Sequence, residues 1–403
     1  MIPSLAEKTY YYIKTIVDDF GSRPAGSNAE SDTIIFIEQK LIKWGYSTQH
    51  QQFLFASLPI LFLPYGFMGL ILVICGWVIN QFPYLSLSIP FLFYVLPFYS
   101  RLVIKYRKKD KHSQNIFSDL CTDDPKTPLL ILSAHVDSAR ASYFSNPKLL
   151  IINYFTLFIA QRVAIALAMF ALIVIFGVSI PVWIKYILLI LCTITGGWLF
   201  FYQAIDQLFH RNRYSPGAND NASGVAILLS IAENYATRQQ TNPYQHLQLA
   251  FLFTGAEETG LHGADAFSLY LSGRENVSIL CLDMVGCGNN ILYISGDGTI
   301  SSVHTNPFLN QIMKDVHPDI TPIWYTVRSG DFAAFARNGI PTAAIQTKAS
   351  VSKEIAYHTI HDKMDIIDKA TLEKVLQLVI SFIERYDQQW NLSKGASPFE
   401  KIS

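Results

Sequence analysis

Residues 249–260 read Leu249-Ala250-Phe251-Leu252-Phe253-Thr254-Gly255-Ala256-Glu257-Glu258-Thr259-Gly260. The apolar run at the start is bounded by turn residues and predicts a buried β-strand. Two adjacent carboxylates directly after such a strand are costly unless a cation or a proton compensates them. A solvated acidic turn is the alternative. The pattern favours one carboxylate that binds a metal beside one that acts as a general base.

Two other apolar runs resemble this strand, at residues 129–132 and 278–282. Helical patterns such as residues 224–235 alternate with them. The alternation predicts an α/β fold with a mixed, largely parallel central sheet flanked by helices. Open α/β sheets place their ligand sites at the carboxyl ends of the strands. Polar residues that directly follow these runs are therefore candidates for a functional site.

Four further segments carry histidine or acidic residues in such positions. Each has an ordinary alternative: a lone His-x-Asp is more often structural, an Asp or Asn before a helix is a common N-cap, and late histidines are often at the surface. Together they supply two imidazoles and three or four carboxylates, a donor set suited to zinc, with cobalt or manganese as possible substitutes. A carboxylate bridging two ions would complete a two-metal hydrolytic site. The segments are His135-Val136-Asp137, residues 216–224 around Asp220, Asp283-Met284-Val285-Gly286, and Tyr357-His358-Thr359-Ile360-His361-Asp362.

The composition predicts that part of the chain is in a membrane. Charged residues make up 15% and hydrophobic residues 50% of the sequence, and the mean hydropathy is +0.25. A zero formal net charge argues against a nucleic-acid partner, which calls for a basic excess. The amino terminus lacks the apolar core of a signal peptide, and residues 1–12 are predicted to form an amphipathic helix.

Four uncharged runs are long enough to cross a bilayer core, which takes about 20 apolar residues. They cover about 57–79, 82–100, 163–184 and 186–205, with short connections at Asn80-Gln81 and at Lys185. This spacing predicts two transmembrane hairpins, at 56–105 and 148–211, inserted into one catalytic domain built from 1–55, 106–147 and 212–403. Residues 148–161 either lie flat on the membrane or extend the third helix.

Basic residues cluster where the hairpins leave the predicted membrane. The opposite side carries only Lys185. The positive-inside rule therefore predicts that the catalytic domain attached to these four transmembrane helices is cytoplasmic. The basic residues are Arg101, Lys105, Arg107, Lys108, Lys109, Lys111, Arg162, Arg211 and Arg213.

The order of the motifs resembles the di-zinc aminopeptidases, a family that also contains glutaminyl cyclases and glutamate carboxypeptidases. The resemblance runs from residues 22–27 and 113–116 through the five segments above, and covers essentially all of the polar sequence. It implies a zinc-aminopeptidase fold and a peptide substrate. The four predicted spans have no counterpart in the soluble members.

The resemblance also implies a role for each site residue. His135 and Asp283 would hold one zinc ion, Glu258 and His358 the other, and Asp220 would bridge them. Glu257 would be the general base, Tyr357 would stabilise the oxyanion, and Asp137 and Asp362 would support the ligands. Where relatives often carry Ser-Asp-His, this chain has Gly330-Asp331-Phe332, which leaves the substrate pocket open to question. Arg328 beside it is a candidate for substrate binding or a surface residue.

These expectations favour a membrane-bound exopeptidase, most simply an aminopeptidase, in which two zinc ions activate water. A single-zinc glutaminyl cyclase and a non-catalytic scaffold of the same fold are the alternatives. A transporter is disfavoured because the predicted spans carry no internal charge of the kind that marks an ion path.

Overall fold

The computed structural model describes residues 4–56, 63–93, 95, 108–120, 127–142, 145, 147–179, 181–209, 212–244, 246–271, 273–298, 302–326, 328–350 and 356–392. The chain divides into two compact units. The first comprises Met1–Phe55, Asp110–Arg140 and Tyr214–Ser403, and the second comprises Ala56–Lys109 and Ala141–Arg213.

The first unit is built on a nine-stranded mixed sheet, in the order β1-β2-β4-β3-β5-β9-β6-β7, with β8 paired to β6. The strands β3, β4, β5 and β9 are parallel to one another at its centre, and β1, β2, β6 and β7 add antiparallel pairs at its edges. The predicted α/β fold is thus confirmed, with parallel pairing confined largely to the centre. The strands are β1 Ser47–Phe55, β2 Lys111–Asp119, β3 Leu129–His135, β4 Gln248–Thr254, β5 Val277–Leu282, β6 Asn290–Asp297, β7 Val303–His304, β8 Thr321–Tyr325 and β9 Thr342–Lys348.

Helices cover both faces of this sheet. One core holds residues such as Ile13, Leu228 and Phe382, and the other holds Phe267 and Phe335. Because both faces are covered, every residue of β3 and β5 is buried, as expected for a central parallel strand. The helices are α1 Leu5–Thr15, α2 Asn28–Lys43, α8 Ser223–Thr241, α9 His262–Tyr270, α10 Pro307–Val316, α11 Asp331–Arg337 and α12 Lys369–Leu392.

The second unit consists of apolar helices. Two stretches are long and apolar enough to cross a membrane, Ile151–Ile175 and Val182–Ala204, whereas the apolar helices Tyr65–Val78 and Pro83–Phe93 are shorter. Residues 57–62, 94 and 96–100, which belong to the first two predicted spans, lie outside the described residues. The helices are α3 Leu63–Val78, α4 Pro83–Leu87, α5 Pro147–Ile175, α6 Val182–Phe200 and α7 Asp206–Phe209, with a π-helical turn Phe201–Ile205 before α7.

The second hairpin differs from the prediction in its boundaries. Residues 148–161 extend the third helix, so α5 begins 16 residues before Val163, and it ends at Ile175. The connection lies at 176–181, where Gly177 adopts a left-handed φ of 71° and Pro181 precedes the first residue of α6. Lys185 is inside the first turn of α6 instead of in the connection. Hydropathy alone did not detect the glycine and proline that end and restart the helix.

Glycines allow α3 and α6 to approach closely within this unit. A Cβ on Gly69 would lie 2.4 Å from the carbonyl oxygen of Gly196, and the reverse substitution would make the same clash. Small residues at such crossings are typical of helix packing in membranes. Of the two adjacent glycines in α6, only Gly196 makes this close approach, since Gly197 faces open space.

Candidate metal centre

The site residues lie where three neighbouring parallel strands end. His135 is the last residue of β3, Glu258 follows β4, and Asp283 follows β5. Because β4, β3 and β5 are adjacent and parallel, their carboxyl ends meet at one edge of the sheet. Asp220 comes from the turn before α8 and His358 from a turn near the end of the chain.

The five predicted ligands come together around Asp220. His135 Nε2 lies 3.3 Å from Asp220 Oδ1, and His358 Nε2 lies 3.1 Å from Asp220 Oδ2. Asp283 Oδ1 is 3.6 Å from His135 Nε2, and Glu258 Oε2 is 3.3 Å from His358 Nε2. Asp220 therefore stands between two pairs, each with one imidazole and one carboxylate.

The donor atoms fit a metal cation. One atom each from His135, Asp220 and Glu258 lie within 4.8 Å of one another. Glu258 Oε1 and Asp283 Oδ1 are buried, and neither has a hydrogen-bond partner among the described residues. Buried carboxylate oxygens without donors are costly unless a cation neutralises them. Nitrogen and oxygen donors of this type suit zinc.

The charges of the site perturb one another strongly. Burial lowers the pKa of His358, but Glu258 and Asp220 outweigh it and raise that pKa to about 10. Burial raises the pKa of Glu257 well above its ordinary value, and the nearby Glu258 raises it further while His135 opposes the shift. Such mutually shifted groups in one place are typical of functional sites.

Asn219 and Asn221 hold the Asp220 turn against the loop that carries Asp283. The amide of Gly286 donates to Asn219 Oδ1 at 2.8 Å, and Asn221 Nδ2 donates to the Leu282 carbonyl at 2.8 Å. The amide of Gly224 in the first turn of α8 donates to Asn221 Oδ1 at 3.0 Å. The helix-capping role considered for this segment thus falls to Asn221, which leaves the carboxylate of Asp220 for the site.

Asp362 supports the same turn from the other side. Its carboxylate accepts hydrogen bonds from the amides of Asn219 at 2.7 Å and Asp220 at 3.0 Å. It is buried, and burial raises its pKa to about 7. The neighbouring His361 is exposed.

Asp137 contacts His135 mainly through its backbone. His135 Nδ1 lies 3.1 Å from the Asp137 carbonyl oxygen and 3.7 Å from the carboxylate. The carboxylate instead accepts hydrogen bonds from the backbone amides of Glu257 at 2.9 Å and Glu258 at 3.0 Å. One residue therefore orients the imidazole and also fixes the loop of both glutamates, a role the sequence did not indicate.

Two more buried side chains complete the support of that loop. The amide of Gly255 donates to Asn115 Oδ1 at 3.1 Å, and the amide of Ala256 donates to Glu30 Oε1 at 3.1 Å. Together, the side chains of Asn115, Glu30 and Asp137 accept hydrogen bonds from four consecutive backbone amides, those of residues 255–258. Ala256 adopts a left-handed φ of 53°, a conformation that persists only where its surroundings hold it. We call residues 255–258 with these three side chains the amide clamp.

Arg23 is a further buried residue that no single motif revealed. Its guanidinium donates to the carbonyl oxygens of Val136 at 2.9 Å, Pro216 at 2.8 Å and Gly217 at 3.0 Å. It thereby ties the His135 segment to the Asp220 turn. Its presence in the resembling stretch 22–27 was the available signal, but a buried partner set cannot be read from that position.

Tyr357 and Arg328 stack next to His358. The Tyr357 ring lies 3.8 Å from the His358 ring, centroid to centroid, and the Arg328 guanidinium carbon lies 4.1 Å from the Tyr357 centroid. Burial raises the pKa of the Tyr357 hydroxyl well above its ordinary value, so it stays protonated at neutral pH. The structure places both predicted residues beside the ligand cluster.

Asp331 lies in the stretch Gly330-Asp331-Phe332, which differs from the Ser-Asp-His often seen in relatives on either side of the Asp. It is buried at the start of α11, and Thr254 Oγ1 at the end of β4 donates to its Oδ2 at 2.5 Å. Burial raises the pKa of Asp331 to about 7. The neighbouring Phe332 packs in the core against Tyr325, with ring centroids 5.9 Å apart. An apolar residue therefore occupies the place of the histidine often seen in relatives.

The sequence model of peptidase family M28 matches residues 205–383, which include Asp220, both glutamates, Asp283 and His358. Residues 205–383 are thus similar to an M28 peptidase domain. This match confirms the resemblance to the di-zinc aminopeptidases inferred from the order of the motifs. His135 and its strand precede the matched residues and are placed by the fold alone.

Curated relatives match part of the chain. A probable leucine aminopeptidase from Arthroderma benhamiae is 27% identical over 176 residues, which are 42% of this chain and 47% of the relative. A vacuolar membrane protease from Lachancea thermotolerans is 29% identical over 163 residues, 39% of this chain and 16% of that protein. The chain thus matches about half or less of the length of these relatives.

Solved structures share the fold over most of the chain. BSAP, a zinc aminopeptidase from Bacillus subtilis, superposes with a TM-score of 0.56 at 15% identity, covering 95% of each chain. A glutaminyl cyclase from Porphyromonas gingivalis gives a TM-score of 0.54 at 16% identity, covering 94% of this chain and 98% of the cyclase. At these identities the likeness shows the fold, which both activities share.

Proposed function

We propose that this protein is a zinc-dependent, membrane-bound exopeptidase, an aminopeptidase that hydrolyses peptide bonds with two zinc ions. The position of Asp220 carries the proposal. Its two oxygens face different imidazoles, at 3.3 Å and 3.1 Å, and a second carboxylate stands beside each imidazole. A carboxylate so placed is suited to bridging two cations.

In this proposal His135 and Asp283 would hold one ion, Glu258 and His358 would hold the other, and Asp220 would serve both. Cobalt or manganese are possible substitutes, because the same donors bind them. Asp137 and Asp362 hold the ligands in place through the hydrogen bonds described above.

The metal ions supply Lewis acidity that polarises the scissile carbonyl and acidifies water. Glu257 takes a proton from the attacking water and returns it to the leaving amine. Its raised pKa supports this role, because a carboxyl group that titrates nearer neutral pH both accepts and donates a proton. Tyr357 remains protonated and donates its hydroxyl to the oxygen that gains negative charge. Arg328 orients the substrate beside Tyr357.

Substitution of Glu257 tests the mechanism. Glu257→Gln keeps the shape and should keep the metal, while the hydrolysis rate on aminoacyl substrates falls by roughly 10²–10⁴-fold. Glu275→Gln, the same change at an exposed residue of the same unit, is the matched control. A Glu257→Gln enzyme with full activity and full metal content would refute the role of this residue.

Metal counting on the purified protein separates the proposal from its rivals. A two-metal peptidase should contain two zinc ions per chain by elemental mass spectrometry and should lose activity with a chelator. One ion per chain together with cyclisation of amino-terminal glutamine would indicate a glutaminyl cyclase. Metal-free protein without activity would indicate a scaffold. Cleavage of free but not blocked peptides would identify an aminopeptidase.

The membrane part of the proposal has two transmembrane hairpins, at 56–105 and 148–211, and a cytoplasmic catalytic domain formed by 1–55, 106–147 and 212–403. The two long apolar helices and their exposed apolar side chains support insertion. Alkaline extraction of membranes tests insertion. An impermeant maleimide added to intact cells tests orientation: it should label Gln81→Cys at a hairpin tip and spare Lys43→Cys on α2.

A further inference from the structure

Arg162 is an exposed cation in the middle of an apolar helix. It is the one charged residue between Ile151 and Ile175, and its side chain is exposed. The helix α5 has 29 residues and is therefore about 44 Å long, whereas a bilayer core is about 30 Å thick. The helix is thus long enough to extend beyond the hydrocarbon at one end.

The side chain of Arg162 points toward the amino-terminal end of α5. Its guanidinium carbon lies 4.1 Å from the centroid of the Phe158 ring, one turn earlier in the helix. Within the described part of the chain, no carboxylate lies within ion-pair distance of Arg162. The charge is therefore carried to the level of Phe158, where the described residues supply no counterion.

The apolar length beyond that level matches a bilayer. From Phe158 to Ile175 the helix rises about 26 Å, and the exposed Phe176 and Val178 follow at the hairpin tip. On α6 and its π-helical turn, the uncharged stretch from Tyr186 to Tyr202 gives about 24 Å if it rises as an α-helix. Both helices therefore define an apolar layer of nearly the same thickness.

Buried polar groups lie on the amino-terminal side of the Phe158 level of α5, outside the apolar layer. Gln203 Nε2 donates to Asn153 Oδ1 at 3.2 Å, and Ser142 Oγ donates to the carboxylate of Asp206. Asn153 precedes Phe158 by five residues, or about 8 Å along the helix. Within the apolar layer, the hydroxyl of Thr195 is satisfied by the carbonyl oxygen one turn earlier. A buried polar pair thus lies beyond the level that the Arg162 guanidinium reaches.

We propose that Arg162 binds the phosphate group of a membrane phospholipid, at the end of the second hairpin that joins the rest of the chain. This inference rests on the proposed membrane insertion. A guanidinium presents paired N–H donors that match phosphate oxygens, and a lipid phosphate supplies the missing counterion. The exposed rings of Phe155 and Phe158 lie on the same stretch of α5.

Binding of one lipid to the full chain tests this site. The purified protein in a mild detergent is titrated with phosphatidylglycerol, or with diacylglycerol of the same acyl chains, and adducts are counted by native mass spectrometry. Phosphatidylglycerol should bind more tightly than diacylglycerol to the wild type. Arg162→Gln should lose about fivefold in phosphatidylglycerol affinity, the usual effect of one basic residue at a membrane surface.

The control is Arg274→Gln, the same charge change at an exposed position of the first unit, which should bind like the wild type. Equal binding of both lipids to the wild type would overturn the proposal without any variant. Equal affinity of Arg162→Gln and wild type for phosphatidylglycerol would also overturn it. Alkaline extraction, run in parallel, distinguishes these results from failure of membrane insertion, in which case the chain itself is released from membranes.

Discussion

Removal of the Asn115 side chain should destabilise the first unit through the amide clamp. Asn115 is fully buried and makes three hydrogen bonds. Its Nδ2 donates to the Gly263 carbonyl and to Gln51 Oε1, each at 2.8 Å, and its Oδ1 accepts the amide of Gly255 at 3.1 Å. Asn115→Ala leaves the Gly255 amide and the Gly263 carbonyl buried without partners, while Gln51 is half-buried and can turn to water.

The magnitude follows from those two unpaired groups. Each buried donor or acceptor left without a partner costs about 1–3 kcal/mol, so the free energy of unfolding should fall by about 2–6 kcal/mol. Loss of the hydrogen bond from the Gly255 amide to Asn115 also removes a restraint at the start of the loop that carries Glu257. The hydrolysis rate should therefore fall even under conditions in which the variant remains folded.

The assay is denaturant unfolding of the detergent-solubilised protein, followed by tryptophan fluorescence, with activity measured on the same samples. Gln114→Ala is the matched control. Gln114 is the neighbouring residue on β2, but its side chain meets His50 at the surface, at 3.1 Å. Its substitution should change stability by no more than about 0.5 kcal/mol. Equal unfolding midpoints for the two variants would refute the reasoning.

Three further predictions concern other parts of the molecule. In Asp137→Asn, the side-chain NH2 would face one of the two backbone amides that now donate hydrogen bonds to the carboxylate. Zinc affinity, measured in competition with a chromophoric chelator, should therefore fall about 10–100-fold. Unchanged affinity would contradict the supporting role. Gly69→Val should reduce the folded fraction seen by size-exclusion chromatography, because its Cβ would meet a backbone oxygen at 2.4 Å, while Gly197→Ala, with open space, should not. Burial raises the pKa of Glu30 from its ordinary 4.5 to about 8, so its contribution to stability is present below pH 4.5 and is lost as the pH rises through 8. Unfolding midpoints of wild type and Glu30→Gln should accordingly diverge between pH 5 and 8, and parallel pH profiles would exclude this linkage.

The fold of the first unit could be predicted from the sequence because its signals are local. A run such as residues 129–132 is apolar on both faces, which marks a central parallel strand without knowledge of its neighbours. The position of a polar residue directly after the run then assigns it to the carboxyl edge of the sheet. His135, Glu258 and Asp283 are placed in this way by chain order alone.

Other features depend on which segments meet. Glu30 and Asn115 are distant in sequence from residues 255–258, and each would be read as an ordinary surface or strand residue by local pattern. The antiparallel edges of the sheet escape prediction for the same reason, since pairing direction is set by connections and not by composition. The end of α5 was misplaced because hydropathy stays high through the glycine at the turn.

The sequence by itself determined the chemistry of this protein: its donor types, their order along the chain, the strands that present them, and the presence of long apolar helices. Only the tertiary structure decided the grouping of those donors, with Asp220 between two imidazoles and Asp137 engaged with the glutamate loop. It also decided that the Arg162 charge lies at the level of Phe158. The physical reason is that residue type and local period are properties of short segments, whereas distances between side chains depend on how distant segments pack.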